Sequence, residues 1–295
     1  MLKKILGTIG EEEFFTKYWG QKNVVLSDSI KENISFSKDD FFKILDTCNL
    51  EFPRVTCLHH RGRVPVEEYV DITTENISSK ILSDKVKKLA EKGNTVRIRG
   101  IDQFNDSIKL LKNKMIEVFR FNVTANAYYS SSPANGMNPH YDIRHIFIVQ
   151  LEGVKEWSVG DKINQIPRND FRPFIFTDMD SYEAKETFSL NAGEVLYIPP
   201  GLWHKTSTLE PNYSLHIALG ITMADWYDMS KVYLIHLMKK FPIFREHVPF
   251  KIQDGMLNFQ ENLTEEMLSL IELIKTEVSN YDFYKDIEDE VRKKP

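Results

Sequence analysis

Apolar and polar positions along the chain change period twice. In the first part, Phe14, Phe15, Tyr18 and Trp19 fall at helical spacing within Glu11–Gly20, which predicts an amphipathic helix lying on a core. Ser37 caps a second predicted helix that opens at Lys38, and Ser83–Glu91 reads as a third. Asn94–Ile101 alternates apolar and polar residues, as a half-buried strand does. Strand patterns then follow one another at Ile116–Asn122, His145–Leu151, Trp157–Val159, Glu194–Ile198 and Tyr213–Ile221. Turn signals separate them at Glu152-Gly153, Asn191-Ala192-Gly193 and Pro199-Pro200-Gly201. From Met223 the spacing is helical again, over Trp226–Lys240 and Asn262–Val278. The latter opens on an Asn-x-x-Glu signal and carries Met267, Leu268, Ile271, Ile274 and Val278 on one side.

This order predicts a mainly β fold with helices. Many short strands with regular turns suit a sandwich or barrel of the jelly-roll and cupin type, a double-stranded β-helix. Residues 1–115 form its N-terminal α/β part, 116–222 the β core and 223–295 a C-terminal helical lobe. The apolar stripe of that lobe either packs on the barrel or pairs two copies of the chain. No solenoid repeat is visible.

Composition narrows the setting. At 295 residues and 42% hydrophobic, the chain can bury a large core. A net charge of -5 argues against direct nucleic-acid binding as the main task, and Lys85, Lys87 and Lys88 read as a solvated helix face. Cys48 and Cys57 are too few for a disulfide framework and fit a reducing compartment. No apolar run reaches membrane-spanning length and no leader with a cleavage site precedes the first helix, so a cytoplasmic protein is expected. Cys57, His59 and His60 cluster, but no second ligand pair for structural zinc lies nearby. Cys48 reads as a small buried residue, and the aromatics of Trp226–Tyr233 as packing.

The candidate chemistry lies in the middle. His140 and Asp142 stand two apart in NPHYD, so on a strand both side chains point one way. Further on, GEVLYIPPGLWHKTS delivers His204 after a Pro-Pro-Gly turn. Two imidazoles and one carboxylate on one face of an octahedron leave positions open, the donor set of non-haem Fe(II) oxygenases. A lone His-x-Asp or a histidine after such a turn is often structural; the pair, in this order within the strand-rich region, points to a metal.

The run HYDIRHIFIVQLEGVKEW from His140 to Trp157 resembles the metal-binding stretch of the JmjC-type ribosomal oxygenases, a branch of the 2-oxoglutarate oxygenases. LNAGEVLYIPPGLWH is similar to their second-histidine stretch, and FFTKYWGQKNVVL to their opening helix and strand. The resemblance covers about residues 10–222. It implies Fe(II) on His140, Asp142 and His204, with 2-oxoglutarate and O2 as co-substrates. It also implies that Lys155 pairs with the distal carboxylate of 2-oxoglutarate, and that Asn126, Tyr128, Ser214 and His216 line the pocket. Taken alone, Lys155 reads as an exposed hairpin lysine, and the other four as satisfied polar groups of a barrel core. Strand parity sets His145 on the face opposite His140 and Asp142, and Arg144 lies near the mouth. The family continues from its helical lobe into a winged-helix domain, which residues 223–295 are not expected to contain.

The implied activity is hydroxylation of an amino-acid side chain in a protein or peptide. The alternatives are hydroxylation of a small molecule such as a free amino acid, demethylation of a methylated lysine, or a metal-binding cupin without 2-oxoglutarate chemistry. The family also implies a homodimer through the C-terminal helices.

Overall fold

The computed structural model describes residues 5–7, 9–26, 34–59, 62–71, 79–132, 134–135, 138–163, 182–209, 212–253, 256–259 and 263–282. The chain divides into two compact units, Met1–Thr222 and Met223–Pro295.

The helices of the first unit include α1 (Glu11–Lys17), α2 (Lys38–Thr47), α3 (Ser83–Glu91) and α4 (Asp106–Phe119). Its strands are β1 (Val24–Leu26), β2 (Val55–His59), β3 (Gly62–Arg63), β4 (Thr95–Arg99), β5 (Val123–Ser131), β6 (Ala134–Asn135), β7 (His145–Lys162), β8 (Glu186–Asn191), β9 (Val195–Ile198), β10 (Leu202–Thr208) and β11 (Tyr213–Ile221). The larger sheet runs β1-β9-β7-β11-β5-β4-β2-β3 and every pairing in it is antiparallel. Its rims are a three-residue and a two-residue strand. The distal part of β7 leaves this sheet and pairs with β8 and β10, while β6 extends the second sheet from β10. Two antiparallel sheets joined by one strand make the double-stranded β-helix.

Alternation explains what each face does. On β11, Leu215, Ile217, Leu219 and Ile221 face one way and are fully buried. They join Phe147, Val149 and Leu151 of β7, Ala125 and Ala127 of β5, and Val96 and Ile98 of β4. Against this face pack Phe14 of α1, Phe41 and Leu45 of α2, Val86 of α3, and Ile108, Leu111 and Met115 of α4. Each such side chain stabilises by roughly 1.5–3 kcal/mol on leaving water. The opposite face is the barrel interior, with Ile148, Trp157, Leu196, Ile198 and Ala218 in a smaller cluster.

Four sequence expectations change. Ile116–Asn122 is not a strand, because α4 continues to Phe119. Asn105 caps that helix through the Ile108 amide, the buried face recurs at Ile108, Leu111 and Met115, and Arg120 ends it with φ 61°. The β-branched and aromatic run at its end mimicked a strand. Glu152-Gly153 does not end a strand either: β7 passes through it unbroken, bending at Gly153 (φ 67°). A Cβ at 153 would fall 1.8 Å from the Tyr213 carbonyl oxygen, so only glycine fits this crossing. Trp226 and Tyr227 are 85% and 54% exposed rather than packed, although Tyr233 is buried. Cys48 is half-buried, while Cys57 is in the core.

The second unit contains α5 (Trp226–Lys240), a hairpin of β12 (Phe250–Gln253) and β13 (Met256–Phe259), and α6 (Leu263–Val278). Asp225 closes a capping box with Asp228 at the start of α5. The Tyr233 hydroxyl donates to the Ile274 carbonyl, tying the two helices. Asn262, the expected cap of α6, lies outside the described residues. Met267, Leu268, Ile271 and Val278 are all exposed.

Candidate active site

The barrel interior opens into a cavity of about 80 Å³, lined by His140, Asp142, His204, Lys155, Tyr128 and His216 among others. One water needs roughly 10–15 Å³ of such space, so the cavity admits more than a solvent molecule.

His140 and His204 are brought together by a two-way backbone bridge: each amide donates to the other's carbonyl, at 3.0 and 2.8 Å. The Gly201 amide, in the Pro-Pro-Gly turn, donates to the Asp142 carbonyl at 2.8 Å and fixes the third residue. The donor atoms of the three side chains lie within 4.8 Å of one another, and His204 Nε2 stands 3.6 Å from Asp142 Oδ2. Among the described residues this is the one His/Asp/Glu/Cys group so gathered. Each imidazole donates Nδ1–H to a backbone carbonyl, His140 to Asn138 and His204 to Leu202, both at 2.9 Å. That selects the tautomer whose Nε2 lone pair is free for a metal. Burial, then the neighbouring His140, pushes His204 down to about 4. Two imidazole nitrogens and a carboxylate aimed at one point fit a divalent iron.

Lys155 is 1% exposed, which excludes the exposed hairpin lysine. Its Nζ donates to Ser130 Oγ at 2.8 Å and Thr208 Oγ1 at 2.9 Å. Burial lowers its pKa to about 7. Among the described residues Lys155 has two hydroxyls and no carboxylate as partners, and a cation so buried is unstable unless an anion joins it. His216 is held neutral, pushed to about 3 by burial and then by Lys155, and its ring stacks on Tyr128 with centroids 5.0 Å apart. Ser214 accepts from Gln150 Nε2 at 3.0 Å and Asn126 accepts from the Gly100 amide at 3.3 Å. These two do not line the cavity; they hold its walls. His145 faces away, stacked on Trp19 at 3.8 Å and bonded to the Tyr197 hydroxyl at 2.8 Å.

Sequence reasoning missed Ser130, Thr208 and Trp157. Ser130 is two residues past Tyr128 and Trp157 two past Lys155, so strand parity alone would have found both. Trp157 Nε1 is buried without a partner beside the cavity, a donor awaiting an acceptor. Cys57 and His59 join no metal-holding group, and His60 lies outside the described residues.

Comparison with known proteins gives one direction. Residues 101–229 match the family model described as "JmjC domain". The bifunctional lysine-specific demethylase and histidyl-hydroxylase NO66 of Dictyostelium discoideum is 31% identical over 227 residues, covering 74% of this chain and 42% of that protein. The protein of the same name from Drosophila erecta is 24% identical over 304 residues, 95% of this chain and 43% of its own length. The chain thus spans less than half the length of these curated relatives. Among solved structures, YcfD, a ribosomal oxygenase from Escherichia coli, superposes with a TM-score of 0.59 at 17% identity, covering 94% of this chain and 69% of that one. YcfD in complex with cobalt and 2-oxoglutarate gives 0.57 at 17%, covering 90% and 67%. At that identity the likeness establishes the fold. Together with the His-Asp-His cluster, these matches establish that the chain carries a JmjC domain of the Fe(II)- and 2-oxoglutarate-dependent oxygenase family.

Proposed function

We propose that the protein is an Fe(II)- and 2-oxoglutarate-dependent oxygenase that hydroxylates an amino-acid side chain within a protein or peptide. One observation carries this: a single cavity presents the His-Asp-His cluster and the buried, carboxylate-free Lys155. A metal-binding cupin without 2-oxoglutarate has no use for a cation there. The names of the relatives, histidyl-hydroxylase and ribosomal oxygenase, favour a protein side chain over a free small molecule.

His140, Asp142 and His204 would hold the iron and leave coordination positions free. When bound, iron and 2-oxoglutarate supply the oxidation by O2 that yields succinate and carbon dioxide and places one oxygen atom in a substrate C–H bond. The chain's own residues do the positioning. Lys155, with Ser130 and Thr208, would meet the distal carboxylate and fix how far the co-substrate enters. Ile146, Ile148, Trp157 and Ile198 wall the cavity and keep water out, which strengthens that ion pair. The two imidazoles are held in rotation by their bonds to backbone carbonyls.

A cytoplasmic setting is supported by two free cysteines, and among the described residues no helix is long and apolar enough to cross a membrane. The test is an anaerobic titration of 2-oxoglutarate into the Fe(II)-loaded protein, followed by visible absorption. A weak charge-transfer band is expected, absent in His140→Ala and displaced to at least about 30-fold higher 2-oxoglutarate in Lys155→Ala, the loss of a buried charged partner. Iron bound without a band would sink the co-substrate reading and leave the metal-only cupin.

A further inference from the structure

The inner face of β4 departs from the rest of the barrel. Where β7 turns Ile146 and Ile148 inward, β4 turns Thr95, Arg97 and Arg99. Register fixes their place: Arg97 pairs with Tyr128 and Arg99 with Asn126, and antiparallel partners share a face. Thr95 and Tyr128 line the cavity, and Arg97 and Arg99 continue the same face of β4 beyond that lining. Arg97 Nε donates to Thr56 Oγ1 at 3.0 Å, yet its second terminal nitrogen is buried without a partner. Arg144 reaches the same flank, donating to Thr124 Oγ1 at 3.4 Å, with its Cδ against Gly220. Arg63, on the adjoining rim strand, completes the group. Burial first, and then Arg97, Arg63 and Arg144, pull Arg99 below the usual arginine range. Among the described residues none of the four forms an ion pair with a carboxylate, in a chain whose net charge is -5.

Like charges crowded at a half-buried wall cost stability, and carboxylates brought by a ligand relieve that cost. We infer that Arg97, Arg99 and Arg144, with Arg63 at the rim, form a substrate-binding wall that selects acidic residues flanking the side chain to be hydroxylated. This rests on the oxygenase reading and adds the substrate class to it. The cluster is separate from Lys155, which already has two hydroxyl partners deeper in the barrel. A net charge of -5 opposes an extended polyphosphate more than a few carboxylates, which favours a peptide as the anion.

The test uses the full chain loaded with Mn(II) and 2-oxoglutarate. The probe is a fluorescein-labelled heptapeptide with four glutamates around a central histidine, set against its glutamine counterpart. Fluorescence anisotropy should give at least about tenfold tighter binding of the glutamate peptide at low salt, narrowing at high salt. The double variant Arg97→Gln/Arg99→Gln should lose the preference. Arg97→Lys/Arg99→Lys should keep most of it, as should Lys109→Gln on the exposed side of α4. Equal binding of the two peptides, or a preference that survives the glutamine pair, overturns the inference. So does tighter binding of a ten-nucleotide single-stranded RNA than of the glutamate peptide. So too does a glutamine pair that weakens 2-oxoglutarate as Lys155→Ala does, because the cluster would then serve the co-substrate. A charge-transfer band without peptide preference removes this inference alone; a preference without a band leaves the acidic site and removes the oxygenase reading.

Discussion

At the scale of the residue, Lys155 governs the most. With its pKa lowered by burial to about 7, it sheds its proton in the folded state well before it would in the unfolded chain. Between about pH 7 and the ordinary lysine value near 10.4 the unfolded state binds more protons, so this group makes stability rise with pH across that window. Capture of a dianion demands the charged form. 2-Oxoglutarate affinity should therefore fall as pH climbs above 7, by up to about tenfold per unit, and Lys155→Met should flatten the profile. Isothermal titration at several pH values measures this, and a flat wild-type profile would contradict it. Gly153 is the second decisive residue. Gly153→Ala is expected to cost about 2–4 kcal/mol, from the forced positive φ and the clash with Tyr213, read by urea unfolding. The same variant should weaken 2-oxoglutarate, since Lys155 lies just beyond the bend.

At the scale of the element, helices α2 and α5 start on reciprocal caps, Ser37 with Asp40 and Asp225 with Asp228. Ser37→Ala should lower stability by about 1 kcal/mol in equilibrium unfolding without altering the iron site. What the sequence disclosed, and what it hid, also divides by element. The bounds of Trp226–Lys240 are legible to the residue, and so are those of Tyr213–Ile221, whose alternation is complete. The end of α4 was not, because Ile116, Val118 and Phe119 favour strands locally while the packing of Ile108, Leu111 and Met115 decides otherwise. The sequence predicts β7 as two pieces because a Glu-Gly pair signals a turn, whereas here it lets one strand serve two sheets. β5 carries little strand signal at Ala125 and Ala127, although Asn126 and Tyr128 on it match the pocket residues that the resemblance implies. The pocket's deeper partners, Ser130 and Thr208, are set by tertiary register between distant segments, which no local spacing records.

At the scale of the whole molecule, the second unit presents Trp226, Leu234, Met238, Met267, Leu268 and Ile271 to solvent. An exposed apolar set of this kind is usual where a second surface covers it. Two copies joined through these helices are expected, so sedimentation equilibrium should give twice the chain mass, and Ile271→Asp should return it to one. A wild-type monomer at micromolar concentration would exclude the pairing. Among the described residues the rims of the larger sheet, β1 and β3, are three and two residues long, and rims that short offer a foreign strand little backbone to copy. At those two rims brevity guards against fibrillar growth, and among the described residues it leaves the six-residue β8, paired with β7 alone, as the longer edge that a foreign strand would have to use.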